Sequence, residues 1–189
     1  MAEDEAVTIH YQVDARRSRF QVQAFAGGLL SAFGHNPTIA IRGLTGDAWI
    51  EPDRLESASL RLRIEADSLD VMNKVSAKDR ADMMQKMREE VLETHRYPEI
   101  IFESAEIAAE TLYQGHYRVR VNGNLSLHGV TRNCLIEAQA VVTEDTLRAS
   151  GQFTLKQTDY GIRLINAAGG TLKVKDELKF SFDIVASRQ

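Results

Sequence analysis

The sequence has one cysteine, no long apolar run and no excess of positive charge. Cys134 is alone, so the chain forms no internal disulfide and has no cysteine-based zinc site. No stretch approaches the roughly 18 apolar residues of a membrane-spanning helix. The net charge is −4, whereas nucleic-acid binders usually carry a basic excess. We therefore expect no disulfide, no membrane span and no nucleic-acid partner.

Motifs for metal binding and catalysis are also missing. The five histidines share no ligand spacing such as i, i+4 on a helix, and there is no nucleophile motif, phosphate loop or pair of carboxylates. Asp159-Tyr160 invites an acid/base interpretation, but nothing in the sequence pairs with it, and a turn carrying an aromatic side chain is preferred. We predict no catalytic residue, no metal and no cofactor.

Glycine is absent from Asp47 to Gln114, which predicts long, regular elements there. Inside this span Ser76 is a candidate N-cap, with Asp79 at the capping-box position, and apolar residues then recur with helical spacing. The segment before Pro98 ends the pattern, because the residue before a proline disfavours the helical region. The sequence predicts one helix over about 76–94.

Alternation of apolar and polar residues is abundant. It is clear in Leu60–Ala66, Tyr117–Leu127 and Leu178–Ala186. Alternate side chains of a strand point to opposite faces, so each segment has one face to bury. Many such antiparallel strands, with few helices to cover them, are best satisfied by a sheet closed on itself. We predict an all-β barrel, and about eight strands can enclose one small ligand.

The sequence predicts one domain over residues 1–189, in which residues 1–8 form a tail. It has 189 residues, of which 43% are hydrophobic, and it shows no repeat or linker. The first residues, Met1–Val7, are acidic and lack the basic and apolar regions of a secretory signal. The expected location is the cytoplasm, or the periplasm if a leader has been removed.

Several segments resemble the YceI-like family. Val121–Arg132, with the sequence VNGNLSLHGVTR, is similar to the family's signature strand and hairpin. Leu29–Gly43 departs from the family's glycine-and-aromatic pattern and has Phe33-Gly34-His35-Asn36 instead. The other similar segments follow in the family's order and together cover most of positions 9–186: Tyr11–Asp14, Ser18–Phe20, Asp67–Asp70, Asp79-Arg80, Thr94–Ser104, Ala149–Phe153, Asp159–Gly161 and Val174–Leu178.

The resemblance implies a lipocalin-like antiparallel barrel of about eight strands, with the helix packed near its mouth. Family members bind long apolar chains inside the barrel, such as polyisoprenoids, quinone tails and fatty amides, and homodimers are common among these bacterial proteins. We therefore expect non-enzymatic binding, transport or storage of one isoprenoid-type or quinone-type lipid.

The expected ligand contacts are inward-facing residues of the strands, together with residues near the mouth. Methionines on the helix are flexible and polarizable, which suits an adaptable apolar surface, although ordinary packing of the helix explains them equally well. His35 is the candidate polar contact to a headgroup. The full set is Phe20, Val22, Phe33, His35, Leu62, Ile64, Met83, Met84, Met87, Phe102, Phe153, Leu155, Tyr160, Phe180 and Phe182.

Two alternative functions stay open. The first is an enzyme acting on such a lipid, with His35 or Asp159 as the polar group in the pocket. The second is a barrel filled with side chains that serves as an interaction module through its outer face. Trp49 has the opposite parity to Ala48 and Ile50, so it is expected to point outward, where it would suit a dimer contact.

Overall fold

A computed structural model describes residues 7–27, 36–51, 54–167 and 172–189, which form antiparallel strands and, in these ranges, one short α-helix. None of the described helical segments has the length and apolar character needed to span a bilayer. The elements are β1 Ile9–Val13, β2 Arg19–Gln23, β3 Ala26–Gly27, β4 Thr38–Ile41, β5 Leu44–Glu51, β6 Arg54–Glu65, β7 Leu69–Val71, α1 Ala77–Lys86, β8 Glu99–Tyr113, β9 His116–Leu127, β10 Val130–Val142, β11 Thr146–Lys156, β12 Asn166–Ala167, β13 Leu172–Val174 and β14 Glu177–Arg188.

Eight of the strands close into a barrel, as the alternation predicts. Their order around the barrel is β1, β5, β6, β8, β9, β10, β11 and β14, and β14 pairs back with β1. At one end the wall is extended by β2 on β14, β4 on β2 and β7 on β4. A small sheet of β12, β13 and β3 lies apart from this ring. Every pairing is antiparallel, and the fold prediction is confirmed.

The segment from His10 to Ala26 does not form one continuous strand. A turn divides it into β1 and β2, because the carboxylate of Asp14 accepts a hydrogen bond from the Arg16 amide at 2.9 Å and the Ser18 hydroxyl donates to the Asp14 carbonyl at 2.7 Å. An aspartate that bonds the backbone two residues on favours a turn over a continued strand. Both halves still pair with β14, so the barrel stays closed.

Burial follows the alternation along the strands. In β9, Val121, Leu125 and Leu127 are buried while Arg118 and Arg120 are exposed. The apolar residues therefore face the interior, where the driving force is removal of apolar surface from water.

Trp49 points outward, as predicted. Its neighbours Ala48 and Ile50 are buried, whereas Trp49 is 40% exposed. Its ring stacks on His10 at a centroid distance of 5.1 Å.

The helix begins where the capping pattern places it. The Ser76 hydroxyl accepts a hydrogen bond from the Asp79 amide at 3.1 Å, and α1 runs from the next residue. Beyond Lys86 the helical path continues through wider turns at Met87–Val91. It ends at Leu92, slightly earlier than predicted.

The end of the helical segment is fixed to the β9–β10 hairpin. Glu93 and His128 both have positive φ, 45° and 52°, a region that side chains disfavour. The Glu93 carboxylate lies 2.8 Å from His128 Nε2 and accepts a hydrogen bond from Arg96 at 2.9 Å. The bonds from Arg96 and His128 hold the pKa of Glu93 below its usual value. Tyr97 packs on the His128 ring at a centroid distance of 4.6 Å. The contact between Glu93 and His128 joins these two residues with positive φ, so each stabilises the position of the other.

Candidate ligand-binding cavity

The barrel encloses an apolar cavity of about 150 Å³. Apolar cavities of this size stay dry and accept apolar guests. Residues from all eight strands of the ring form its wall. The apolar ones are Val13, Phe20, Ala48, Ile50, Leu55, Ala58, Leu60, Leu62, Phe102, Ile107, Tyr117, Val119, Val121, Ile136, Ala138, Ala140, Val142, Leu147, Ala149, Phe153, Phe182, Ile184 and Ala186.

One part of the barrel is filled by aromatic rings. We call it the phenylalanine half, defined by Phe20, Phe102, Phe153, Phe180 and Phe182. Phe20 meets the rings of Phe153, Phe180 and Phe182 at centroid distances of 6.4, 6.2 and 6.0 Å. Phe153 stacks on Phe180 at 4.7 Å. Edge-to-face and offset-stacked rings at these distances attract one another beyond their area burial, so this half is well packed.

Two glycines make room for those rings. A Cβ atom on Gly123 would lie 2.5 Å from the tip of the Phe102 ring, and one on Gly151 would lie 2.8 Å from the tip of the Phe182 ring. Any larger residue would push a ring out of its place. In the phenylalanine half, the rings of Phe102 and Phe182 therefore pack directly against the backbone of Gly123 and Gly151.

The opposite part of the barrel is lined by small residues. We call it the alanine half, defined by Ala48, Ala58, Ala138, Ala140, Ala149 and Ala186, all of which border the cavity. Ala140 and Ala149 are direct partners on β10 and β11, so two methyl groups face the interior side by side. A methyl group reaches only a short way inward, and space is left along the barrel axis.

Tyr11 occupies part of the far end of the alanine half. Tyr11 is completely buried there and packs with Ile50 and Leu55. Its hydroxyl donates a hydrogen bond to the Thr143 carbonyl at 2.8 Å, and burial raises the pKa of the phenol. Tyr11 therefore fills part of this end of the barrel, and its hydroxyl has a hydrogen-bond partner.

The structure brings five of the sequence-predicted ligand residues together on the cavity wall. Four of them belong to the phenylalanine half. They are Phe20, Leu62, Phe102, Phe153 and Phe182.

Four other predicted strand residues belong to the core beside the cavity rather than to its wall. Val22 and Ile64 are buried in the same hydrophobic cluster, and Leu155 and Phe180 pack against it. Tyr160 is buried next to β10, also away from the wall, and burial raises the pKa of its phenol.

The methionines lie outside the cavity. Met83 and Met84 are half-buried on α1, and Met87 packs against the main core through the wider turns. None of the three is on the cavity wall. Their contribution to binding stays a prediction. Phe33 and His35 lie outside the described residues.

The alanines are the wall residues that the sequence analysis missed. Their inward parity is visible in the alternation, as in Ala138 and Ala140 or in Ala186. An apolar pattern does not distinguish a position that fills the interior from one that leaves it empty. The residue volumes at inward positions would have given the signal, since β11 and β14 each carry phenylalanine toward one end and alanine toward the other.

The wall has little polar character. The Asp47 carboxylate is engaged by His10 at 2.7 Å, beside the outward-facing Trp49, and Ser59 is exposed. Burial raises the pKa of the Cys134 thiol, which disfavours the reactive thiolate. Within the described ranges, no three His, Cys, Asp or Glu side chains gather as a metal site would need. The arrangement can hold an apolar chain by burial.

The sequence matches a protein family described as "YceI-like domain" over residues 11–186. No curated protein sequence matches the chain.

Solved structures share the fold. BcnA of Burkholderia cenocepacia is similar with a TM-score of 0.69 and 16% identity, over 92% of this chain and 98% of that one. A polyisoprenoid binding domain from Saccharophagus degradans has a TM-score of 0.66 and 15% identity, over 96% and 99%. A YceI protein of Campylobacter jejuni has a TM-score of 0.59 and 13% identity, over 80% and 84%.

Proposed function

The chain belongs to the family of YceI-like domain proteins, and on that premise we propose that it binds one long apolar lipid inside its barrel. The observation that carries the proposal is the apolar cavity within the closed ring of strands. The lipid class is a polyisoprenoid, a quinone tail or a fatty amide. The similarity to a polyisoprenoid binding domain supports the first of these.

The energetics favour a long chain over a compact ligand. Each buried methylene contributes about 0.8 kcal/mol, whereas association costs about 4–15 kcal/mol before any net affinity appears. A longer apolar chain therefore offsets more of that cost than a short one. Because the wall is almost wholly apolar, chain length is the main source of affinity.

We propose that the protein transports or stores the lipid without altering it. A catalyst needs a positioned acid, base, nucleophile or metal near the substrate. The described cavity wall carries Asp47, whose carboxylate is held by His10, and Ser59, which is exposed. Asp159 is exposed and does not border the cavity. Binding by burial is therefore the function that these residues support best.

The direct test is to identify what the protein carries. Protein purified from cells without detergent should show, by native mass spectrometry, an excess mass that disappears after extraction with organic solvent. The extract should contain a single-chain apolar lipid. Protein that is repeatedly isolated with no bound mass, and that takes up no lipid when refolded with polyprenols, quinones or fatty amides, contradicts the proposal.

A second experiment separates the carrier from the enzyme. His35→Ala and Asp159→Asn should each change lipid affinity by about tenfold or less, since a lost hydrogen bond costs about 0.5–1.5 kcal/mol. The lipid should also be recovered chemically unchanged after long incubation. Recovery of a cleaved or isomerised lipid, abolished by either substitution, establishes the enzyme instead.

We also propose that the outer face around Trp49 joins two copies of the chain. The ring is 40% exposed and stacks on His10, so it presents a flat aromatic surface. Aromatic residues are enriched at the centres of such interfaces. Trp49→Ser should convert a dimer into a monomer in sedimentation experiments, and a monomeric parent protein argues against the contact.

A further inference from the structure

Packed side chains narrow the cavity toward both of its ends. On one side the rings of Phe20, Phe153 and Phe182 border the cavity and pack on one another. On the other side Tyr11 is completely buried together with Ile50. A chain-like ligand entering along the barrel axis would have to displace several of these side chains at once. The wall of the barrel offers an alternative route.

Backbone hydrogen bonds between neighbouring strands hold a barrel wall together, and strands part only where those bonds are missing. Among the described strands of the ring, one unpaired stretch separates residues 130–137 of β10 from residues 152–156 of β11. The segment Gln157–Ile162 fills it, since Tyr160 and Ile162 are buried and the Tyr160 carbonyl lies 3.2 Å from His128 Nδ1. This stretch is sealed by the chain itself.

A second unpaired stretch lies between β6 and β8. Their ladder runs only from Glu65 opposite Glu99 to Arg61 opposite Glu103. Below it, Arg54, Ser59 and Leu60 of β6 pair with β5, residues 104–113 of β8 pair with β9, and no backbone pairing joins these two stretches. We call the stretch between residues 54–60 and 104–113 the seam.

The cavity reaches both edges of the seam. Leu55, Ala58 and Leu60 of β6 border the cavity on one side, and Ile107 of β8 borders it on the other. Outward positions along both edges are exposed, among them Ser59 of β6. The seam thus places unpaired strands beside the cavity, and the buried side chains of Leu55 and Ile107 separate the cavity from solvent there.

We propose that the seam is the entrance through which the apolar tail of the ligand passes into the cavity. The inference rests on the proposed function, which supplies the ligand. The tail enters between the two strands, and a polar headgroup stays at the exposed edge. Because the route crosses no backbone ladder, opening it costs no strand-to-strand pairing.

The upper limit of the entrance is fixed. The Ser104 hydroxyl accepts a hydrogen bond from the Leu60 amide at 2.9 Å, and Arg61 forms an ion pair with Glu103 at 3.1 Å. Both contacts lie at the last rung of the ladder. Below them the two strands can separate by bending, while the pair above stays in register.

The strand edges along the seam carry charged residues, which suit an opening to which no other protein strand should bind. The exposed residues of the seam include Arg54 and Glu56 on β6 and Glu106 and Glu110 on β8. Charged side chains along an unpaired edge prevent a second strand from adding to it. The unpaired backbone therefore stays available to bend around a lipid.

The test is to close the seam and to measure rates. In a Cys134→Ala background, Ser59→Cys and Ala105→Cys place two exposed thiols directly below the last contact, where a reducible bis-maleimide can join them. The matched control is Gln139→Cys with Ser150→Cys, an exposed pair in register on the β10–β11 ladder. Uptake and release of cis-parinaric acid, which fluoresces in apolar surroundings, are followed by stopped flow.

Cross-linking the seam should slow both uptake and release by about tenfold or more relative to the same double-cysteine protein before cross-linking, since an entrance acts on rates. Reduction of the linker should restore the rates, and the control cross-link should leave them unchanged. Unchanged rates in the cross-linked seam protein overturn the entrance and leave the proposed function standing. Absence of probe binding to the unmodified protein contradicts the proposed function and the entrance together.

A variant with one cysteine tests the proposal if the bis-maleimide does not cross-link the two thiols. Ser59→Cys modified with a maleimide-polyethylene glycol should slow uptake, whereas Gln139→Cys with the same polymer should not. Equal rates for the two modified proteins overturn the proposal.

Discussion

The phenylalanine half and the alanine half belong to one ring of strands and differ in the volume of their inward side chains. In one, Phe20 is 8% exposed and surrounded by other rings. In the other, Ala140 faces Ala149 across a ladder and leaves space. The same alternation thus builds a packed core and a cavity. The closed sheet depends on which positions are apolar, and the cavity depends on how large those residues are.

The largest effect is expected from removing a ring at the centre of the phenylalanine half. Phe20→Ala should lower the free energy of unfolding by about 3–5 kcal/mol, because the neighbouring rings cannot collapse into the space. Urea denaturation measures the loss. The exposed Leu112→Ala should shift stability by no more than about 0.5 kcal/mol. A Phe20→Ala loss as small as that of the control would show that this half is loosely packed.

A substitution that fills the alanine half should affect binding more than folding. Ala140→Phe puts a ring into the cavity, so lipid affinity should fall by about tenfold or more, or about 1.4 kcal/mol. The cost in stability should stay below the roughly 1–3 kcal/mol of overpacking, since the space already exists. Gln139→Phe, exposed on the same strand, is the control. Full affinity in folded Ala140→Phe places the ligand elsewhere.

A smaller effect is expected at the far end of the alanine half. Tyr11→Phe removes the hydrogen bond to the Thr143 carbonyl and should lower stability by about 0.5–1.5 kcal/mol. Tyr113→Phe, on a largely exposed residue, should be neutral. Thermal unfolding distinguishes the two, and an equally neutral Tyr11→Phe would mean that the hydroxyl does not stabilise this end.

The smallest effect concerns the outer face. Arg148 donates two hydrogen bonds to Asp183, at 2.7 and 2.6 Å, and these lower the pKa of that carboxyl. A carboxyl with a depressed folded-state pKa contributes stability above its unfolded value of 3.8 and loses it as the pH falls through the folded value. Both side chains are partly exposed, so the contribution is about 0.2–1 kcal/mol.

The measurement is urea unfolding of the parent protein and of Asp183→Asn across this range. The difference between them should be constant near neutral pH and vanish at the acid end. A difference that is independent of pH would mean that Asp183 contributes through packing alone.

The sequence was sufficient for the barrel and for part of its interior. Alternation in segments such as Tyr117–Leu127 fixed which side chains face inward, and the Ser76 cap placed the start of the helix. Five of the six predicted phenylalanines lie inside the barrel, and Phe33 lies outside the described residues. Four of the five border both the cavity and the packed core: Phe20, Phe102, Phe153 and Phe182.

The alternation of apolar and polar residues did not predict the cavity, because residues from several strands together determine whether space is left inside the barrel. Ala58, Ala138 and Ala186 are far apart in the sequence and meet only when the ring closes. The seam could not be predicted from the sequence either. Whether residues 54–60 reach residues 104–113 depends on how the two strands diverge below Arg61, which no local segment determines.

Closure of the ring by β1 and β14 has a consequence for how the protein is made. Tyr11 pairs with Arg188, so nearly the whole chain separates two neighbouring strands. Pairings between such distant segments form slowly, and one edge of β1 stays open on the ribosome until β14 has been synthesised. A nascent chain therefore has no enclosed compartment. Under the proposed function, lipid loading follows the synthesis of β14, the strand that completes the wall.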